Sequence, residues 1–222
     1  MTLPRRIGSL LTLALTLQAR AATDGIARIR AQAPDLAPEV LDAALRSLDC
    51  AAREGLVSGP DAQRWLTIID YSRPSTEKRL WVLDLSSGEV RFHERVAHGR
   101  NSGDNLAVSF SNQPGSLQSS LGVFRTAETY VGEHGTSLRL DGLEPGINDH
   151  ARDRAIVMHG APYVCDAVVG ELGRLGHSQG CPALAPEVAS DVIQTIEGGT
   201  LLVSWYPDSQ WLSRSPFLHC SP

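Results

Sequence analysis

Trp65-Leu66-Thr67-Ile68-Ile69-Asp70-Tyr71, then Leu80-Trp81-Val82-Leu83-Asp84-Leu85, then Val90 to Ala97 across the turn Ser86-Ser87-Gly88: these runs decide the fold class. They are short, rich in β-branched and aromatic residues and bounded by turn formers, so they read as strands, the second and third joined as a hairpin. Leu121 to Thr126, Ser137 to Leu140, Ala155 to Met158 and Thr200 to Tyr206 read the same way, and none has the length or period of a helix. Residues 63–207 are therefore expected to form one mainly β domain. Between the strands, Gly99 to Ser120 is rich in Gly, Ser and Asn and poor in apolar residues, which inside a compact domain points to a functional loop.

The flanks are different. Val40, Leu41, Ala44, Leu45, Leu48 and Ala52 recur at helical spacing between Ala37 and Gly55, with Pro38 suited to the first turn. A shorter helix is expected over Asp24 to Gln32, making residues 22–62 a helical segment that ends at the Pro and Gly around Ser58 to Pro60. Pro186 to Ile196 is a second long helix, with Val188, Val192, Ile193 and Ile196 on one face and Gly198-Gly199 as its stop. Residues 208–222 are a tail. At the start, two arginines, the apolar run Ile7 to Leu17 and Ala19-Arg20-Ala21 have the layout of a secretory signal over residues 1–21. That run is too short to span a bilayer, which needs about 20 apolar residues.

Composition narrows the function. Of 222 residues 42% are hydrophobic, enough for one good core, and the formal charge is -5. Loss of Arg5, Arg6 and Arg20 with the leader would make it -8, since no acid leaves with them. No cluster of Lys and Arg offers a footprint for nucleic acid. No later stretch approaches membrane-spanning length, so no membrane span is expected after cleavage, and the leader predicts export to the periplasm. In that oxidising space Cys50, Cys165, Cys181 and Cys220 permit three complete pairings, between which the sequence does not choose; with one thiol reserved for chemistry at most one bridge remains, and Cys50–Cys220, tying the termini, is the favoured one. Oligomeric state is not legible.

The chemistry concentrates in Gly176-His177-Ser178-Gln179-Gly180-Cys181-Pro182, ahead of the last long helix. The start of a helix would favour the thiolate of Cys181, the reactive form. Gly180, lacking a Cβ, could let main-chain N–H groups face an oxyanion. His159, ending the strand Ala155 to Met158 and followed by Gly160, is the best placed base, with His177 as competitor. The plain alternative is a buried structural cysteine.

His159-Gly160 followed by Ser178-Gln179-Gly180-Cys181 resembles the His-Gly and Ser-x-Gly-Cys signature of the YkuD-type L,D-transpeptidase catalytic domain. Further blocks extend the resemblance over about Ile69 to Ser204, among them Ser72-Arg73-Pro74-Ser75, Ala97-His98-Gly99-Arg100-Asn101-Ser102-Gly103, Tyr130-Val131-Gly132-Glu133-His134-Gly135 and Gly180-Cys181-Pro182-Ala183-Leu184. The resemblance implies a β-sandwich-like domain acting on peptidoglycan stem peptides, as donor and acceptor, through a cysteine thioester and without metal or other cofactor. It implies Cys181 as nucleophile, His159 as base, the Gly160 carbonyl as the group orienting it, and the N–H groups of Gly180 and Cys181 as oxyanion hole. Carbapenems, which trap the thiolate in members of the family, would acylate Cys181. Tyr130 matches a tyrosine near the substrate channel, Arg139 is the expected partner of a stem-peptide carboxylate, and His134, Ser178, Gln179 and His177 are expected to line the cleft. Two departures stand out. Gln179 replaces a histidine common in the family, and Pro182-Ala183 replaces its Arg or Asn, which leaves the linkage open between 3-3 and 1-3.

Rival readings use the same residues. An L,D-carboxypeptidase would let water take the place of the acceptor amine, and a wall-binding protein would keep the fold without the chemistry. His98, His134, His159, His177 and Cys181 would be ligands in a zinc peptidase, but neither Cys-x-x-Cys nor His-Glu-x-x-His is present. Asn101, Ser102, Ser109, Asn112, Ser119 and Ser120 are a polar wall in one reading and turn formers that satisfy nearby backbone groups in the other.

Overall fold

The computed structural model describes residues 24–57 and 60–220, so the leader expected over 1–21 lies outside the described residues. The chain runs α1 (24–32), α2 (Pro38–Arg53), α3 (Pro60–Arg64), β1 (Trp65–Asp70), β2 (Leu80–Asp84), β3 (Glu89–Glu94), β4 (Gly122–Gly132), β5 (Gly135–Gly142), β6 (Val157–Gly160), α4 (Asp166–Leu172), β7 (Ala183–Leu184), α5 (Pro186–Ile196), β8 (Leu201–Trp205) and α6 (Ser209–Arg214). The mainly β expectation, with helices ahead of it and one long helix after Cys181, describes the molecule.

All eight strands join one sheet in the order β3-β2-β1-β8-β4-β5-β6-β7. Neighbours are antiparallel except β1 with β8 and β6 with β7. Beyond β3 the chain crosses to the far edge, where Ala97 bridges Ala183 and Gly99 bridges Ser178. The sheet thus nearly closes on itself, leaving little free edge. This closure also lays the Gly99 to Ser120 loop against the turn that carries Cys181.

β2 and β8 are buried along their whole length and β1 from its second residue, because helices cover what the closed sheet does not. Val40, Leu41, Ala44 and Leu48 of α2 and Val192, Ile193 and Ile196 of α5 enter the same core as Leu66, Ile68, Leu83 and Val203. Burial of each Leu, Ile or Val contributes roughly 1.5–3 kcal/mol. Packing therefore holds α2, whose N-cap Ala37 makes no side-chain capping bond. Cys50 of α2 forms a disulfide with Cys220, which ties the C-terminal end of the described chain to the N-terminal helical segment. A second tie is Glu144, whose buried carboxyl accepts from Val123 N–H at 2.7 Å, Trp211 Nε1–H at 3.1 Å and the Ser215 hydroxyl. It pins α6, and burial raises its pKa. Among the described residues, no helix is long and apolar enough to cross a membrane.

Three short helices have no counterpart in the sequence reading. α4 shows why: it buries none of its residues, so no apolar period marks it. One strand is displaced. The run expected over Ala155 to Met158 begins at Val157 instead, because Ala155 sits in the left-handed region at φ 53°. His159 consequently lies within β6, not after it.

Candidate active site

β6 and β7 build the site between them. Their parallel register pairs His159 with Ala183, and the His159 N–H donates to Pro182 O at 3.4 Å. Continuing that register two residues back brings Cys181 beside Val157, which therefore lies on the same face of the strand as His159. The sulfur is found there. Val157 N–H donates to Cys181 Sγ at 3.4 Å, and the thiol donates to the Ala155 carbonyl at 3.6 Å. Cys181 is half-buried and not in a disulfide.

Cys181 and His159 open on one cleft of about 410 Å³, lined also by Tyr130, His134, Arg154 and Tyr163. His159 Nδ1 lies 2.9 Å from the Gly160 carbonyl oxygen. A carbonyl only accepts, so Nδ1 carries the proton and Nε2 is left as the basic nitrogen. His134, at the turn of the β4–β5 hairpin, stacks on the His159 ring with centroids 4.4 Å apart. Burial lowers the His159 pKa, the Gly160 carbonyl raises it, and His134 lowers it again. The imidazole is thus neutral at pH 7.

The expected helix start at Cys181 is not there. Pro182 and β7 separate Cys181 from Pro186, the first residue of α5, so the partial charge of a helix end does not fall on the sulfur. Burial pushes the Cys181 thiol up, while Val157 N–H and the Arg154 guanidinium pull it down.

The turn ahead of the cysteine is held by its own polar groups. Ser178 Oγ donates to Cys181 O at 2.7 Å and accepts from Gly180 N–H at 3.0 Å. This corrects one expectation: the Gly180 N–H is occupied within the turn and is not a free oxyanion donor. Ser178 borders the cleft as expected, with its hydroxyl held inside the turn. The Cys181 N–H has no acceptor among the described residues. Gly180 is at φ 127°, and a Cβ there would lie 2.8 Å from Gln118 O and 3.0 Å from Ile156 Cδ1. Only glycine fits.

Arg139 also departs from expectation. Its Nε lies 3.2 Å from Glu128 Oε1 and its guanidinium 4.6 Å over the Tyr130 ring, so its charge is already engaged outside the cleft lining. Tyr130, His134, His177 and Gln179 do line the cleft, with His177 Nε2 donating to Asp104 O at 3.0 Å. The cation that faces the cleft is Arg154, which the sequence reading missed; a lone arginine in a polar stretch carries no local signal.

His98 is a core residue. Arg79 Nη2 donates to its Nδ1 at 2.8 Å, and burial together with Arg79 pushes its pKa down to about 3. The loop serines mostly satisfy backbone groups: Ser119 Oγ accepts from Gly99 N–H at 3.0 Å and donates to Gly180 O at 3.2 Å. Among the described residues the one cluster with metal-ligand spacing is Cys50, Glu54 and Cys220. Both of its sulfurs are in the disulfide, which leaves no thiolate to bind an ion.

Solved structures give a distant likeness. An L,D-transpeptidase from Mycobacterium smegmatis is 15% identical over 64% of this chain and 59% of its own, with a TM-score of 0.39. The helical cell shape determining protein Pgp2 from Campylobacter jejuni is 14% identical over 73% of this chain and 57% of its own, with a TM-score of 0.41. The chain spans less than two thirds of the length of these solved proteins. No protein of curated function matches it. A family model of the L,D-transpeptidase catalytic domain matches residues 32–205, more than half of the chain, and the chain belongs to that family.

Proposed function

We propose that this protein is an exported, periplasmic L,D-transpeptidase that joins peptidoglycan stem peptides through a thioester on Cys181, residues 63–207 being the catalytic unit. The observation that carries the reading is an unbridged thiol and a neutral imidazole, with its acceptor nitrogen free, opening on one cleft. The sulfur now contacts Ala155 O, and the reaction requires a change of the Cys181 rotamer that brings it to the His159 ring. Such catalytic contacts often close only when substrate is bound.

His159 Nε2 takes the thiol proton as Sγ attacks the carbonyl carbon between the third and fourth residues of the donor stem. The C–S bond forms, the C–N bond breaks, and the departing D-amino acid leaves with the proton from His159. An amine of a second stem then attacks the thioester and gives its proton to His159. The new C–N bond forms as sulfur leaves, and the proton returns to it. Splitting one exchange into two steps is the advantage of a covalent nucleophile. The Cys181 N–H is the oxyanion donor. Tyr130, His134, His177 and Gln179 bind substrate. A second groove of about 520 Å³, sharing Glu133 and His134 with the first and bordered by Gly160, supplies an entrance for the acceptor.

The test is incubation with sacculi followed by muropeptide analysis, with Cys181→Ala as control. Cross-linked dimers of 3-3 or 1-3 type, absent with the variant, support the reading. Trimmed monomers alone would make the protein an L,D-carboxypeptidase. Carbapenem labelling that persists in Cys181→Ala removes the nucleophile assignment.

A further inference from the structure

Arg154 is held in an unusual way. Its Nη1 donates to Ser111 O at 2.6 Å and Ser120 Oγ at 2.5 Å, and its Nη2 to Ser116 Oγ at 3.1 Å and Gln118 O at 2.7 Å. All four acceptors are neutral and belong to the Gly99 to Ser120 loop. Neighbouring arginines are paired with carboxylates: Arg152 with Glu128 and Asp141, Arg125 with Asp141, and Arg139 with Glu128. Arg154 has no carboxylate within ion-pair distance among the described residues. A partly buried cation without a counter-charge is costly unless an anion comes to it.

Its position says which anion. Nη2 lies 3.5 Å from where a Cβ on Gly180 would be, so the guanidinium sits against the residue that precedes the sulfur. The four bonds occupy the Nη protons, so they fix the charge and leave little to grip a ligand directly. Leu117, inside the loop, and Ala155, next in the chain, are the two non-glycine residues with positive φ among those described. Strain of this kind, about 1–3 kcal/mol at each residue, persists where surrounding contacts over-determine a functional geometry.

We infer that Arg154 is the electrostatic positioning residue of this site, a loop-pinned cation that favours the Cys181 thiolate and the oxyanion formed beside it, in the place of the absent helix end. The inference rests on the reading of Cys181 as nucleophile. The other titratable groups on the cleft are Glu133 and His134 from the hairpin, Tyr130 from β4, His159 from β6, Tyr163, and His177 on the cysteine's own loop. Among these side chains Arg154 is the guanidinium, a group that keeps its charge in proteins.

The experiment is the pH dependence of Cys181 alkylation by iodoacetamide, followed by mass spectrometry in a Cys165→Ser background that silences the other free thiol. Arg154→Gln and Arg154→Lys are compared with the parent, and each is also melted. Arg154→Gln is expected to raise the midpoint and to slow alkylation at pH 7 by about tenfold or more, since one pKa unit is a tenfold change in thiolate fraction. Arg154→Lys, whose shorter and less pinned charge sits farther off, is expected between the two, and it decides the matter alone if the Gln variant does not fold. A purely structural role lowers the melting temperature and leaves the midpoint in place, and that result overturns the inference. A parent protein whose Cys181 is not alkylated at any pH brings down the nucleophile reading instead.

Discussion

Gly180→Ala tests the claim that the shape of one turn places the sulfur. The residue is at φ 127°, a region that alanine enters at a cost of about 1–3 kcal/mol. The new Cβ would also lie 2.8 Å from Gln118 O, a backbone atom that accepts from Arg154 Nη2 at 2.7 Å and so cannot retreat without loosening that bond. Adding that crowding gives roughly 2–4 kcal/mol in all. For a protein of this length each kcal/mol lowers the melting temperature by about 2–4 °C, so a fall of roughly 4–16 °C is expected in calorimetry. The alternative relief is a rotation of the 180–181 peptide that draws the sulfur off Val157 N–H. Either way, the rate of carbapenem acylation, read by intact mass, should drop at least about tenfold at a temperature where the variant is folded. A melting temperature within about 2 °C of the parent, together with an unchanged acylation rate, would refute the reasoning.

Two further outcomes follow from the same geometry. Burial and the stacked His134 hold the His159 pKa below its usual value of about 6.5. The neutral, basic form therefore survives below that pH, and carbapenem acylation should fall only as acidification passes the lowered pKa; His134→Phe, which keeps a ring but removes a like charge, should move this acid limb to higher pH, and a parent limb at or above 6.5 contradicts the assignment. The Cys50–Cys220 disulfide closes a loop with a sequence separation of 170. Cys50→Ser should cost about 2–5 kcal/mol in urea unfolding while leaving acylation of Cys181 at 25 °C intact, and a parallel loss of acylation would tie the terminal staple to the site.

Much of the architecture was legible in local pattern. Pro186 to Ile196 reads as a helix from its own period, its opening proline and the glycines after it, and α5 has those bounds. The core strands read from β-branched and aromatic runs because their residues are buried on both faces and little else is compatible with them. His159 and Cys181 stood out as candidates because they sit in short, ordered motifs, and the structure brings both to one cleft. α4 was not legible, since a helix that buries nothing leaves no periodic trace.

The sequence by itself determined the fold class and the family and singled out Cys181 and His159 as candidates, all of which depend on which residues are near one another along the chain or recur in order. Tertiary structure alone decided what surrounds the sulfur. Whether Arg139 or Arg154 faces the cleft, whether the Ser178 hydroxyl is free, and whether a helix end reaches Cys181 depend on where β7 docks and how the sheet closes. Charges and hydrogen bonds act over a few ångströms of space, and no spacing along the chain fixes which distant groups will be that close.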